Sequence, residues 1–294
     1  MLRKGDLTQG GITGTLLHFT LPMMVGSFLQ QCYNIADTLI VGQCIGAGAL
    51  AAVGSAYTLM VFLISVLLGL AMGSGTVFSL HYGAGNHVAL RRSIFSSFVL
   101  IGIVTLILNV AVFIWLDPIL RLLQVPQDIY GMMRSYSWII FCGIVFTFIY
   151  NFYASLLRAV GDSVTPLWFL AVSVVLNIAL DLFFILQLDW GIQGAAAATV
   201  LAQGVAALGI IIYTYRRRPE LRWHHEDMCF DRTCLKEIAS FSTLTCVQQS
   251  VMNLGILMIQ GLVNSFGTAV MAAFAAAVKI DSFAYMPVQE FGNA

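Results

Sequence analysis

The chain has 294 residues, of which 59% are hydrophobic and only 10% are charged, and its formal net charge at pH 7 is zero. Its mean hydropathy of +0.88 is far above that of a soluble globular domain, so the composition predicts a polytopic membrane protein. The zero net charge argues against a general nucleic-acid-binding surface.

Apolar stretches of about 20 residues, the length of one bilayer crossing, predict eight membrane spans. The first follows Arg3 and Lys4, contains Pro22 and has no small-residue cleavage site, so we interpret it as a retained helix and not a signal peptide. The spans lie at about 15–41, 51–80, 93–116, 130–157, 166–188, 191–215, 238–264 and 270–294.

The distribution of basic residues predicts the orientation of the chain. With the N-terminus in the cytoplasm, only Arg121 and Arg134 fall outside the membrane. The cytoplasmic side then carries Arg3, Lys4, Arg91, Arg92, Arg158, Arg216, Arg217, Arg218, Arg222, Arg232 and Lys236. This excess follows the positive-inside rule, so we expect a cytoplasmic N-terminus.

Two carboxylates interrupt otherwise apolar spans. In the fifth span Asn177 and Asp181 are four residues apart, which places both on one helix face. In the first span Gln30, Asn34 and Asp37 form a similar polar stripe. A charge inside a membrane is costly unless it has a partner, a cavity or a proton. The pattern indicates a cation or proton site, or alternatively two sets of local hydrogen bonds that only fix helix packing.

An internal repeat relates the first and seventh spans. The segment 45–53 matches 266–274 at an offset of 221 residues. We interpret the match as two homologous halves of six spans each, arranged as parallel repeats. The same offset pairs Ala294 with Gly73, so we expect the rest of the second half to be missing from the chain. Chance similarity between two Gly/Ala-rich segments is the alternative.

The repeat predicts three parts in the chain: an N-terminal six-helix lobe (1–215), a cytoplasmic connector (216–237) and the start of a second lobe (238–294). The connector contains His224, His225, Cys229 and Cys234, which are zinc-ligand types. Their spacing fits no standard zinc finger, so we predict no metal site. We expect instead a solvated connector that lies against anionic lipid headgroups.

A helix-stop signal ends the fourth span. In the string Leu157-Arg158-Ala159-Val160-Gly161-Asp162-Ser163-Val164-Thr165-Pro166, the glycine can turn the chain, Asp162 and Ser163 can cap, and the proline can open the next helix. This string resembles a loop at the same place in the multidrug and toxic compound extrusion (MATE) family. The segments 35–42, 49–54 and 82–85 resemble that family as well.

The resemblance implies an all-α polytopic membrane protein of the MOP superfamily, with twelve helices in two six-helix lobes around a cleft. This chain would hold the N-terminal lobe and the first two helices of the C-terminal lobe. In the DinF-type branch a first-lobe cluster couples transport to a cation. The matching positions here are Asp37, Asn151, Asn177, Asp181 and Thr199, with Gln30, Tyr33, Asn34 and Gln203 in support.

Another branch of the family carries an acidic residue on the seventh helix, and residues 241–263 contain none. This departure favours coupling through the first lobe. The chemistry agrees, because two carboxylates with amide and hydroxyl oxygens can surround a small hard cation or share a proton.

The resemblance therefore implies a secondary transporter and not an enzyme. It would export drugs or metabolites, often cationic and amphipathic, in exchange for H⁺ or Na⁺, with no cofactor besides that ion. We expect a monomer in a bacterial plasma membrane with no nucleic-acid partner.

Three alternatives compete with this function. A lipid-linked oligosaccharide flippase of the same superfamily commonly lines its cavity with basic residues, whereas spans one to three and five to seven contain no Arg or Lys. An inactive fragment is the second alternative, because a single lobe has no opposite wall. An intramembrane aspartyl protease, the third, requires Tyr-Asp and Gly-x-Gly-Asp patterns, and neither surrounds Asp37 or Asp181.

Overall fold

The computed structural model describes residues 12–223, 227 and 232–293, and these residues form helices and turns but no strand. The all-helical fold predicted from the composition is confirmed. The α-helices are α1 (Ile12–Cys44), α2 (Ala47–Gly83), α3 (His87–Leu122), α4 (Gln127–Cys142), α5 (Ile144–Ala159), α6 (Val164–Leu182), α7 (Gly191–Arg217), α8 (Arg232–Asn264) and α9 (Thr268–Asn293).

Five helices in the described part of the chain are long and apolar enough to cross a membrane: α2, α3, α6 with its extension to Gln187, α7 and α8. The pair α4 and α5 makes a sixth if it is counted as one bent span. Helices α1 and α9 lie where the first and eighth spans were predicted but fall outside this set. In α1 the stripe of Gln30, Asn34 and Asp37 lowers the hydropathy.

The fourth predicted span is not one straight helix. It is broken at Gly143 into α4 and α5, which meet at an angle of 47°. A Cβ at Gly143 would lie 2.6 Å from Cγ2 of Val200, so the bend brings the backbone against α7. The carbonyl of Phe141 accepts a hydrogen bond of 2.6 Å from Nδ2 of Asn109 on α3. A side chain thus satisfies a carbonyl beside the break, as the membrane interior requires.

The α5–α6 turn follows the helix-stop signal in most respects. Gly161 has a φ of 82°, and Oδ1 of Asp162 accepts a hydrogen bond of 3.0 Å from the Thr165 N–H. Asp162 also accepts a hydrogen bond of 3.2 Å from Arg218 beyond α7. The prediction that Ser163 caps α6 is wrong, since its side chain makes no capping hydrogen bond. Asp162 reaches the first turn instead because its side chain is longer.

The two ends of the internal repeat share a backbone conformation. Gly46, between α1 and α2, has a φ of 119°, and Gly267, between α8 and α9, has a φ of 91°. Only glycine adopts such angles without strain. The sequence match between these segments therefore extends to the geometry of the turn.

The connector packs onto the first lobe through Trp223, whose ring lies 5.8 Å from Phe95 and 5.3 Å from Phe98 on α3. Asp227 forms an ion pair of 2.7 Å with Arg91. The predicted solvated connector is thus partly wrong, because Trp223 and Asp227 add apolar and ionic contacts with α3. His224, His225 and Cys229, and the side chain of Cys234, lie outside the described residues.

Helix α6 continues into a π-helical turn, Phe183–Gln187, directly after the segment that carries Asp181. The ring of Phe184 stacks on Trp190 at 5.0 Å, and Phe184 is buried. π-helical turns are rare and occur frequently at functional sites.

Candidate functional site

Asn177 and Asp181 on α6 form the centre of the site. Both are buried, and Asp181 is 0% exposed. When the Asn177 amide is oriented with its oxygen toward the Thr199 N–H at 3.0 Å, its nitrogen donates to Oδ2 of Asp181 at 2.9 Å. The prediction that these two residues share one helix face is confirmed, and the amide also joins α6 to α7.

Tyr33 and Asp37 on α1 complete the group of helices. The Tyr33 hydroxyl lies 3.2 Å from Oγ1 of Thr199, which in turn donates to the carbonyl of Ala195 at 3.1 Å. Asp37 is buried, and it lies within electrostatic range of Asp181. Helices α1, α6 and α7 therefore meet at Thr199, with one carboxylate on each of the first two.

Asn151 and Gln203 are adjacent to this group. Nδ2 of Asn151 donates to the carbonyl of Thr147 on its own helix at 2.8 Å, and the Thr147 hydroxyl donates to Oε1 of Gln203. Gln203 follows Thr199 by one turn of α7. A cleft at the α4–α5 break is lined by Thr147, Thr199 and Gln203 among apolar side chains. Asn151 thus approaches the acids through intermediates.

The polar stripe on α1 divides into two parts. Nδ2 of Asn34 donates to Oε1 of Gln31 at 3.3 Å, and its carbonyl accepts from the Thr38 hydroxyl at 2.6 Å. Asn34 is therefore occupied by hydrogen bonds within α1. Gln30 is half-buried, and no described hydrogen bond connects it with the acids.

Two tyrosines near the acids, Tyr57 and Tyr136, were not predicted. Tyr136 on α4 is buried and lies within electrostatic range of Asp37, Asp181 and Tyr57. A tyrosine near the end of an apolar span is also typical of a membrane interface. Nothing in the sequence therefore assigned it to the acids.

The arrangement can hold a proton or a small cation. Oδ2 of Asp181 accepts the Asn177 amide, whereas Oδ1 is buried and accepts no hydrogen bond from any described residue. A buried ionised carboxylate is costly without compensation. Protonation or a bound cation would supply that compensation, with Asp37 as a second carboxylate nearby.

Comparisons with known proteins agree with this geometry. The family model described as MatE matches residues 22–183. The probable multidrug resistance protein YpnP of Bacillus subtilis is 32% identical in a match that covers 100% of this chain and 65% of the relative. The chain thus spans slightly less than two thirds of the length of that relative.

Solved structures of transporters have the same fold. The MATE multidrug transporter DinF-BH, solved in complex with a small organic compound, has a TM-score of 0.87 and 26% identity, covering 94% of this chain and 62% of its own. A MOP superfamily transporter from Pyrococcus furiosus, described as having a binding pocket of reverse polarity, has a TM-score of 0.84 and 25% identity, covering 98% and 64%. The chain belongs to the MatE family, the multidrug and toxic compound extrusion proteins.

Proposed function

We propose that the protein exports small organic compounds in exchange for H⁺ or Na⁺, and that the ion binds at Asp181 and Asp37. The observation that carries this proposal is the fully buried Asp181, which receives the Asn177 amide on one oxygen and no hydrogen bond from a described residue on the other. A purely structural carboxylate would gain stability from a second donor.

The hydrogen bonds suggest how the ion acts on the helices. Neutralising Asp181 weakens its attraction for the Asn177 amide, which also accepts from Thr199. Thr199 contacts Tyr33 on α1, so a change at α6 reaches α1 through three side chains. α1 contains Pro22, which removes one backbone hydrogen bond and gives the helix a place to bend.

The substrate class is proposed from the relatives. YpnP is a probable multidrug resistance protein, and DinF-BH was solved with a small organic compound bound. We expect the substrate to be a small organic compound, often cationic and amphipathic, with no cofactor besides the ion. The proposal includes no chemical step on the substrate, so it describes a transporter and not an enzyme.

Exposed tryptophans support the proposed placement across a bacterial plasma membrane as a multi-pass monomer with a cytoplasmic N-terminus. Trp168 and Trp190 flank α6 and are 69% and 53% exposed. The distance between them along the helix is about 30 Å at 1.5 Å per residue, which matches the thickness of a bilayer core. Tryptophan is enriched at both membrane interfaces.

The test is export of a fluorescent organic cation from vesicles that contain the complete gene product, with a pH gradient or a Na⁺ gradient imposed separately. We expect one gradient to drive export and Asp181→Asn to reduce it to the background. Export by Asp181→Asn at the unmodified rate would remove Asp181 from the mechanism. Absence of export under either gradient, with folded protein, would contradict the antiport and favour the flippase.

The matched control is Asp189→Asn. Asp189 is exposed and has a φ of 52°, a conformation that asparagine adopts readily. The substitution changes the charge in the same way as Asp181→Asn, so export at the unmodified rate is expected.

A further inference from the structure

Helices α2 and α8 form a long antiparallel seam between the first lobe and the start of the second. At one end of the seam the backbones touch: a Cβ at Gly69 would overlap the backbone of Cys246, and a Cβ at Gly73 that of Ser242. The Ser242 hydroxyl donates to the carbonyl of Leu70 at 3.2 Å. This end is held by close contact between small residues.

The other end of the seam is held by four buried polar side chains, Ser55 and Thr58 on α2 and Gln260 and Asn264 on α8. None is more than 6% exposed. We name this set the seam network. According to the positive-inside bias it lies toward the outside of the membrane.

The hydrogen bonds of the seam network close on themselves. Nε2 of Gln260 donates to Oγ of Ser55 and to Oδ1 of Asn264, both at 2.8 Å. Ser55 donates to Oδ1 of Asn264 at 2.9 Å, and Thr58 donates to Oε1 of Gln260 at 3.3 Å. Nδ2 of Asn264 donates at 2.8 Å to the carbonyl of Leu123, which follows α3. The network therefore joins α2, α8 and the α3–α4 turn.

We propose that the seam network is a latch that holds this end of the α2–α8 seam closed and releases when the seam opens. The inference rests on the proposed function, since export requires the two lobes to separate alternately at their two ends.

The chemistry of the network suits a reversible contact. The four side chains are neutral, so water that enters an opening seam replaces their hydrogen bonds at little cost. A hydrogen bond between membrane helices contributes only a modest free energy, about threefold in an equilibrium constant. Several together hold a closed state without making it permanent.

The first experiment measures whether the seam opens, independently of transport. Ala51 lies one turn before Ser55 and is fully buried, so Ala51→Cys reports opening at the network. The native cysteines are replaced by alanine, and the protein in lipid nanodiscs is treated with a water-soluble maleimide. We expect Asn264→Leu, which removes three hydrogen bonds, to raise the labelling rate by about threefold or more.

Two further variants guard this measurement. Gln260→Met keeps the shape of the side chain and serves if Asn264→Leu does not fold. Thr105→Val is the matched control, because the buried Thr105 hydroxyl bonds only to Ile101 on its own helix. Equal labelling of Ala51→Cys in the unmodified, Gln260→Met and Asn264→Leu backgrounds would overturn the latch.

The second experiment closes the latch covalently. Ser55→Cys and Asn264→Cys are combined in the same background, oxidised, and assayed for export before and after reduction. We expect oxidation to stop export and reduction to restore it, whereas either single variant is indifferent to oxidation. Undiminished export by the cross-linked protein would overturn the latch. Absence of export in the reduced protein would contradict the proposed function, and the labelling rate would still decide the latch.

Discussion

Two groups of buried polar side chains divide the molecule: the acids and their partners on α1, α6 and α7, and the seam network on α2 and α8. Both lie among apolar helices, but their hydrogen bonds differ. Members of the seam network bond to one another. Oδ1 of Asp181 accepts no hydrogen bond from a described residue. A satisfied neutral network specifies how helices pack, whereas a carboxylate with unused capacity favours an exchangeable ion.

The largest expected effect separates the two acids from every other buried polar residue. Asp37→Asn and Asp181→Asn should each lower gradient-driven export about 100-fold or more, and the double variant should be no worse than either single variant, because residues that act as a unit are not additive. Vesicle export with each gradient measures this. Multiplying effects of the two substitutions would show that the acids act separately.

The next effect concerns the end of the seam where small residues touch. Gly73→Leu should destabilise the protein by about 1–3 kcal/mol, because overpacking against the backbone of Ser242 forces the helices apart. Thermal unfolding in detergent measures the change. Gly83→Leu on the same helix is the control, since no atom lies within 4 Å of a Cβ built there. Equal melting temperatures for both variants would contradict the close packing.

A third prediction sets the two groups against each other by stability. Asn264→Leu should lower the free energy of unfolding by about 1–2 kcal/mol, since it leaves partners in the seam network unsatisfied. Asp181→Asn should leave it unchanged or raise it, because the substitution removes a buried charge. Melting temperatures at neutral pH test both signs. A large loss of stability in Asp181→Asn would indicate that the carboxylate serves packing.

The smallest effect tests the link between α1 and α7. Thr199→Val keeps the side-chain shape but removes the hydroxyl that contacts Tyr33. We expect export to fall about threefold, the value of one hydrogen bond between membrane helices. Thr105→Val, which loses only a bond within its own helix, should export at the unmodified rate. If the two variants behave alike, Thr199 does not link α1 to α7.

The sequence predicted the acids because a carboxylate or amide in an apolar span stands out, and the four-residue spacing of Asn177 and Asp181 follows from helix geometry. It did not predict the break at Gly143, since glycine is common in membrane helices and only the contact with Val200 shows its effect. Ser55 and Asn264 are 209 residues apart, so nothing local indicated the seam network. The roles of the predicted site residues stay predictions.

The π-helical turn after Asp181 has a consequence for how α6 can vary. A π turn holds one residue more than an α turn, so a one-residue deletion within Phe183–Gln187 can restore an α-helix. Every residue beyond the deletion would then rotate by about 100° relative to Asn177 and Asp181. The stack of Phe184 on Trp190 would be lost, while the acid would keep its position. Helix α6 therefore contains a joint at which its ion-binding part and its end are specified independently.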